Sequence, residues 1–317
     1  MLTVEQKQKI VTAANDYIVE KKISQADCSL VVSINQGYLS CMLRGKFVIE
    51  NKDQQTEIHD KWFLAMAQTV GHQHEKTYWD FLLTIQTKEV LTYLEDFKKH
   101  RMSGAIICKT GFGKTYTIDR FVMKNPGDTI RITVSSLHRL RDILDEITRY
   151  LGLTMAASIT NTYRILQIIH EVRTRHRNGL RPMLIIDEAE NLNVSVLRMI
   201  KAMYDGFADY CPIVLIGTEE LDVKLARAIS KKTEGMPQFY RRFKAGFRRV
   251  SNKLEFGLFF DKYKIEQPLR KLLLELCDNY GELHDYLEPV LREADLTGEK
   301  VTEERFRLYH NMPKCKP

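Results

Sequence analysis

Eight consecutive residues, Cys108-Lys109-Thr110-Gly111-Phe112-Gly113-Lys114-Thr115, constrain the fold of this 317-residue chain more than any others. The apolar run Ala105-Ile106-Ile107 precedes them, and an apolar-periodic segment from Ile118 to Met123 follows. Strand, glycine-bearing turn and helix, in that order, are the setting of a phosphate-binding loop. Gly111 and Gly113 let the backbone wrap closely, so that N–H groups along Thr110, Gly111, Phe112, Gly113, Lys114, Thr115 and Tyr116 can face phosphate oxygens. The helix that starts there turns its positive end toward an anion. Lys114 is spaced to reach β- and γ-phosphates and the Thr115 hydroxyl to bind Mg²⁺. The pattern G-x-x-x-x-G-K-[ST] opens on glycine, whereas Cys108 stands at that place here.

A second signature lies 73 residues further on. Met183-Leu184-Ile185-Ile186 is an apolar run ending in Asp187-Glu188. A buried strand of this kind delivers two carboxylates at its C-terminal end, where ligands sit in α/β sheets. Asp187 is expected to hold Mg²⁺ through water, and Glu188 to polarise an attacking water. A further strand, Ile213 to Gly217, ends at Thr218, whose hydroxyl is spaced to bond a γ-phosphate or that water. With the β-branched run Thr129 to Val134, four strands are expected. Helices over Lys88–His100 (capped by Thr87), Leu137–Leu151 and Tyr163–Arg175 alternate with them, and Pro126-Gly127 makes a turn. The expected fold is α/β, a parallel sheet around a nucleotide site.

Net charge is +7 but unevenly spread. Residues 1–70 are neutral, with eight basic and eight acidic residues, whereas residues 227–253 carry nine basic residues and one acidic. Such a patch, containing Gln238-Phe239-Tyr240-Arg241-Arg242-Phe243, suggests phosphate, either of nucleotide or of nucleic acid. Residues 254–317 read as a helical, acidic segment with Leu258, Leu269, Leu272, Leu273, Leu276 and Leu287 as core. Six scattered cysteines without a C-x-x-C pair favour free thiols over a disulfide framework or zinc site. His72 and His74 are too isolated to suggest a metal. The polar N-terminus and the lack of an apolar run of membrane-spanning length lead us to expect a cytoplasmic protein without membrane contact.

The first 80 residues read as a separate helical domain. Val4, Ile10, Val11, Ala14, Tyr17 and Ile18 give residues 4–22 a helical period. Ser24 can cap one short helix, with Ala26, Leu30 and Val31 on one face. Asn35 or Ser33 can cap a second, carrying Ile34, Leu39 and Leu43 and ending at Gly45. Two short helices joined by a tight turn form a helix-turn-helix, and this stretch resembles the phage-repressor type. Gln36, Gly37, Tyr38, Ser40 and Arg44 then fall on or near the exposed face of the recognition helix, as candidate DNA contacts. A small protein-interaction domain is the alternative, favoured by the neutral charge. Trp62, Phe63, Met66 and Val70 read as core of a closing helix, and residues 71–86 as a connector.

Taken together, the motifs resemble the AAA+ ATPases. Asp187-Glu188-Ala189-Glu190-Asn191-Leu192, Leu215-Ile216-Gly217-Thr218-Glu219-Glu220-Leu221 and Arg241-Arg242-Phe243 are similar to the DNA-transposition regulators, and the order of domains to the Mu B family of transposable phages. The resemblance implies a helix-turn-helix DNA-binding domain over residues 1–80, an AAA+ core over 81–253 and a helical lid over 254–317. It implies ATP and Mg²⁺ as cofactors, and a helical homo-oligomer on double-stranded DNA in the bacterial host cytoplasm, associated with the nucleoid. It also implies delivery of target DNA to a cognate DDE-type transposase, with hydrolysis stimulated by DNA and transposase. Lys114 and Thr115 match its first motif, Asp187 and Glu188 its second, Thr218 its sensor, and Arg241 or Arg242 its arginine finger. The lid's second sensor, G-x-x-R in many relatives, would be Gly281-Glu282-Leu283-His284 here. Histidine there, with Cys108, fits a slow switch better than a motor. A replication helicase loader or initiator, and an ATP-switched transcription regulator, are the other readings of the same motifs.

Overall fold

A computed structural model describes residues 4–21, 23–32, 34–51, 54–69, 78–125, 127–207 and 210–313. The expectations for Ser33, Val70, residues 71–77 and Pro126 lie outside these, as do the side chains of Leu30 and Val31. The chain divides into two compact units, Met1–Tyr78 and Trp79–Pro317. The helical segment after residue 254 belongs to the second, as do Trp79 and Asp80.

In the first unit α1 (Val4–Lys21), α2 (Gln25–Val32), α3 (Gln36–Leu43) and α4 (Asp60–Thr69) surround one apolar core. Ser24 caps α2 reciprocally with Asp27: the Asp27 N–H donates to Ser24 Oγ at 3.1 Å and the Ser24 N–H to Asp27 Oδ2 at 3.2 Å. Asn35 caps α3 by accepting the Gly37 N–H at 2.8 Å, an interaction worth about 1 kcal/mol. α3 ends in a Schellman motif, with Gly45 N–H on the Met42 carbonyl and Lys46 N–H on that of Cys41. Cys28, Val32, Ile34, Leu39, Met42, Phe63 and Met66 are buried, as are Ile10, Val11 and Ala14 of α1. Val4 and Ala26 are exposed, and Trp62 is half-buried. The helical period therefore carries across α1 except at Val4, which faces outward.

This unit is not all helix. β1 (Val48–Asn51) and β2 (Gln54–Glu57) pair antiparallel directly after α3. Their Glu- and Gln-rich sequence lacks the apolar alternation that announces a strand. Buried Lys7 ties the ribbon's end to the helices, at 2.8 Å from Glu57 and 3.0 Å from Asp60.

The second unit is built on a five-stranded parallel sheet in the order β4-β5-β6-β3-β7: β4 is Thr129–Thr133, β5 Met183–Asp187, β6 Ile213–Gly217, β3 Gly104–Ile107 and β7 Phe247–Arg249. Every residue of β3, β5 and β6 is buried, which is why these strands read as continuous apolar runs. Alternate side chains serve two cores. Ile106, Met183, Ile185, Val214 and Ile216 pack on one face with α5 (Ile85–His100) and α6 (Lys114–Lys124). Ala105, Ile107, Leu184, Ile186, Ile213 and Leu215 pack on the other, against α7 (Leu140–Tyr150), α8 (Asn161–Arg177), α9 (Val194–Phe207), α10 (Glu219–Ser230) and α11 (Met236–Phe243). β7 is the strand that the basic composition of its segment conceals. Thr84, not Thr87, caps α5: its hydroxyl accepts the Thr87 N–H at 3.2 Å. α7 starts three residues later than its apolar pattern suggests, and Leu137 is 86% exposed.

Four more helices, α12 (Phe256–Lys262), α13 (Gln267–Leu276), α14 (Tyr280–Thr297) and α15 (Glu303–Tyr309), form a lid with its own core. Leu269, Leu273 and Leu287 are fully buried, Leu272 and Leu276 partly, and Leu258 is exposed. Trp79 joins this core, stacked on Phe259 at 4.7 Å and Tyr263 at 5.5 Å.

Candidate functional site

β3 delivers the phosphate loop at its C-terminal end, flanked by β6. Gly111 and Gly113 have φ of 74° and 76°, the left-handed conformation that this turn needs and that L side chains resist. Gly113 is also the N-cap of α6, so the loop runs directly into the helix's positive end. Cys108 is buried and extended off β3, its N–H on the Gly217 carbonyl at 2.9 Å. Cysteine is tolerated there because the left-handed turns fall three and five residues later. Burial pushes its thiol up to about 12, against a weaker opposite pull from Lys114. Lys114 Nζ bonds the carbonyls of Cys108 and Lys109 at 3.1 and 3.2 Å, so its charge rests over the loop. Thr110 is exposed and Tyr116 40% exposed. Phe112 is buried facing Tyr280 of the lid, which leaves its backbone as the group that can face a ligand.

β5 carries Asp187 to the same end, fully buried. Its Oδ2 lies 3.5 Å from the Thr115 hydroxyl, and its Oδ1 accepts the Glu188 N–H at 3.0 Å. A hydroxyl and a carboxylate side by side are a hard oxygen donor pair of the kind that binds Mg²⁺ together with phosphates and water, so the residues fit that ion. Glu188 is exposed and left-handed (φ 54°, ψ 42°), a conformation uncommon away from glycine and concentrated at functional sites. Asn191 Nδ2 donates to Glu188 Oε2 at 3.4 Å and to the Val134 carbonyl at 2.9 Å, linking Glu188 to the end of β4.

Thr218 follows β6. Its N–H donates to Glu190 Oε2 at 3.2 Å, while its buried hydroxyl has no hydrogen-bond partner among the described residues. A buried hydroxyl left unpaired costs about 1–3 kcal/mol, which a phosphate oxygen or water at this sheet end would relieve. The phosphate loop, the Asp-Glu turn and Thr218 thus meet at the ends of three adjacent strands.

Two further sets of contacts complete the surroundings, and the first brings in Phe81 and Arg120, which the sequence did not assign. Tyr116 is 5.5 Å from the Phe81 ring, and the Arg120 guanidinium lies over both rings. The lid reaches the loop itself: Gly281 N–H donates to the Gly111 carbonyl at 3.0 Å. His284, which the resemblance aligns with the second sensor, is held by Asp285 at 2.9 Å and stands edge-on to Trp79 at 5.2 Å.

The two candidate finger arginines differ. Arg242 is bound within the chain, at 2.7 Å from Asp205 and over the Tyr204 ring. Arg241 is exposed, without a hydrogen bond or ion pair among the described residues. In the first unit Gln36 and Gly37 are exposed, Tyr38 is half-buried against Trp62, and exposed Arg44 folds back on Ser40, its Nε 3.0 Å from the Ser40 carbonyl. Among the described residues no helix is long and apolar enough to cross a membrane, and no cluster of three His, Cys, Asp or Glu could hold a metal.

A family model for the AAA domain matches residues 97–225, from within α5 to α10, and so spans the phosphate loop, Asp187-Glu188 and Thr218. The DNA transposition protein B of the Mu-like prophage FluMu of Haemophilus influenzae is 21% identical over 226 residues, 71% of this chain and 75% of that protein. Among solved structures, Cdc6p of Pyrobaculum aerophilum superposes with a TM-score of 0.52 at 16% identity, covering 70% of this chain and 66% of that one. The ORC2 protein of Aeropyrum pernix, solved as ADPNP–ADP complexes, gives 0.50 at 15% identity, covering 77% and 73%. The strand order and the phosphate loop make the fold that of an α/β P-loop NTPase; residues 97–225 are similar to an AAA domain, and the chain is similar to the transposition protein B of a Mu-like prophage.

Proposed function

We propose that this chain is an ATP-dependent DNA-binding protein that assembles on double-stranded target DNA and activates a DDE-type transposase. The observation that carries the ATP half is the cluster of Lys114, Thr115, Asp187, Glu188 and the unpaired Thr218 hydroxyl at one end of the sheet. ATP supplies the phosphoryl group, with Mg²⁺ held by Thr115 and Asp187. Lys114 leaves the loop carbonyls to meet phosphate charge, and Glu188, oriented by Asn191, draws a proton from water. Arg241 is the better finger, because Arg242 is already committed to Asp205; an exposed arginine can reach a neighbouring copy's nucleotide.

Support for the DNA half comes from the likeness to transposition protein B and from the nine basic residues of 227–253, with Lys231, Lys232, Arg241, Lys244, Arg249 and Lys253 all exposed. The first unit adds a candidate reading surface on α3, followed by the β1–β2 ribbon. A reconstituted strand-transfer assay tests the proposal: a transposase from the same element should gain activity and target commitment from this chain with ATP, and not from Lys114→Ala. The fold likeness to Cdc6p and ORC2 favours a second reading, an initiator-like ATPase that loads a replicative helicase. ATP-dependent helicase recruitment without any effect on transposase would establish that reading instead.

A further inference from the structure

Arg131 occupies a position that the nucleotide chemistry does not call for. It lies on β4, beside β5, and its side chain is 17% exposed. Its Nη2 donates to Asp187 Oδ2 at 3.0 Å, the same oxygen that faces the Thr115 hydroxyl. Its Nη1 pairs with Asp119 of α6, the helix that carries Thr115. A fully buried carboxylate needs a compensating charge, and the guanidinium supplies one.

Resting on the ATP reading above, we propose that Arg131 is a positioning residue that keeps the Asp187 carboxylate in place before a divalent cation arrives, and competes with that cation for Oδ2. The ion must share or displace a hydrogen bond to this oxygen, so Arg131 raises the Mg²⁺ concentration at which the nucleotide complex closes. Asp119 moderates the competition by drawing the guanidinium toward α6. Loop, metal ligand and β4 thereby move as one linked set.

The two partners give opposite expectations. Arg131→Gln removes the competing charge and leaves a donor, so the Mg²⁺ midpoint for binding a fluorescent ATP analogue should fall about tenfold or more. Asp119→Asn leaves Arg131 bound to Asp187 alone and removes a nearby negative charge, so the midpoint should rise by about threefold to tenfold. Arg131→Lys, with one charge but no fork, should lie between the parent and Arg131→Gln. The experiment titrates Mg²⁺ into full-length protein with the analogue, starting from EDTA, and repeats the titration with Mn²⁺ observed by electron paramagnetic resonance. Should Arg131→Gln fail to fold, as judged by circular dichroism, Asp119→Asn and Arg131→Lys decide the matter. A midpoint that is unchanged, or that moves in the opposite sense in folded variants while the parent binds nucleotide, overturns the role of Arg131. A parent that binds no nucleotide at any Mg²⁺ concentration overturns the ATP reading, and this inference with it.

Discussion

Gly111 couples the phosphate loop to the lid, and replacing it by alanine should cost far more than the same change two residues on. Both glycines have positive φ, so alanine at either incurs about 1–2 kcal/mol of backbone strain. At Gly113 a Cβ meets nothing within 4 Å, and strain is the whole cost. At Gly111 a Cβ would lie 2.1 Å from Asn279 Oδ1 and 2.4 Å from its Cγ. Asn279 must move, and it is the N-cap of α14, accepting the Glu282 N–H at 2.9 Å; losing that cap costs about 1 kcal/mol. The Gly281 N–H to Gly111 carbonyl bond is lost with it, about 1 kcal/mol more. Gly111→Ala should thus destabilise the second unit by about 3–4 kcal/mol and Gly113→Ala by about 1–2. The assay is denaturant unfolding followed by Trp79 fluorescence in a Trp62→Phe background, since the chain has two tryptophans. Asn279→Gly should cost only a few tenths of a kcal/mol alone. Combined with Gly111→Ala it should recover about 1 kcal/mol or more. Equal losses at the two glycines, or strict additivity of Gly111→Ala with Asn279→Gly, would refute the contact between loop and lid.

Lys114→Ala should abolish ATP binding while Glu188→Gln keeps binding and stops turnover; a Glu188→Gln protein hydrolysing at the parental rate would remove Glu188 from the chemistry. Arg241→Ala mixed with Glu188→Gln, each inactive alone, should regain hydrolysis on DNA through interfaces that pair an intact Glu188 site with an intact arginine, whereas Arg242→Ala should mainly loosen the contact of α11 with Asp205. No recovery at any ratio, with mixed assembly confirmed separately, would rule out action in trans by Arg241. Burial pushes the Cys108 and Cys277 thiols up to about 12 from an ordinary value of 9.0. The folded chain therefore keeps protons that the unfolded chain loses, so stability is full below pH 9 and falls as pH rises toward 12. Iodoacetamide at pH 8 should modify half-buried Cys41 first among the described cysteines and reach Cys108, Cys211 and Cys277 only on unfolding; fast labelling of Cys108 in the folded chain would contradict its burial.

The ATPase core was legible because its signals are local. A parallel strand buried on both faces reads as an apolar run, and glycine, lysine and carboxylates follow at the strand ends where a phosphate site needs them. Signals that depend on distant partners were not legible. β7 hides within a basic stretch because Phe247–Arg249 is a strand only through pairing with β3. Trp79 and Phe81 look like connector until the lid and α6 are folded against them. Arg131 reads as one charged residue on a strand, and only the register of β4 with β5 brings it to Asp187. The β1–β2 ribbon is silent in the sequence because its polar residues carry no period of two, and Leu258, expected in the core, is exposed because a leucine count does not say which face of a short helix is covered.

The central claim, that nucleotide at this site controls DNA binding, is tested most directly by fluorescence anisotropy of a labelled duplex titrated with the chain, with and without ATP and Mg²⁺, over a range of salt. Binding should require ATP, differ little between unrelated sequences, weaken steeply with salt and vanish in Lys114→Ala. Removal of residues 1–78 should reduce affinity but leave the ATP requirement. Equal affinity with and without nucleotide, or in Lys114→Ala, would contradict the account, as would loss of all binding on removing the first unit from a chain that still assembles.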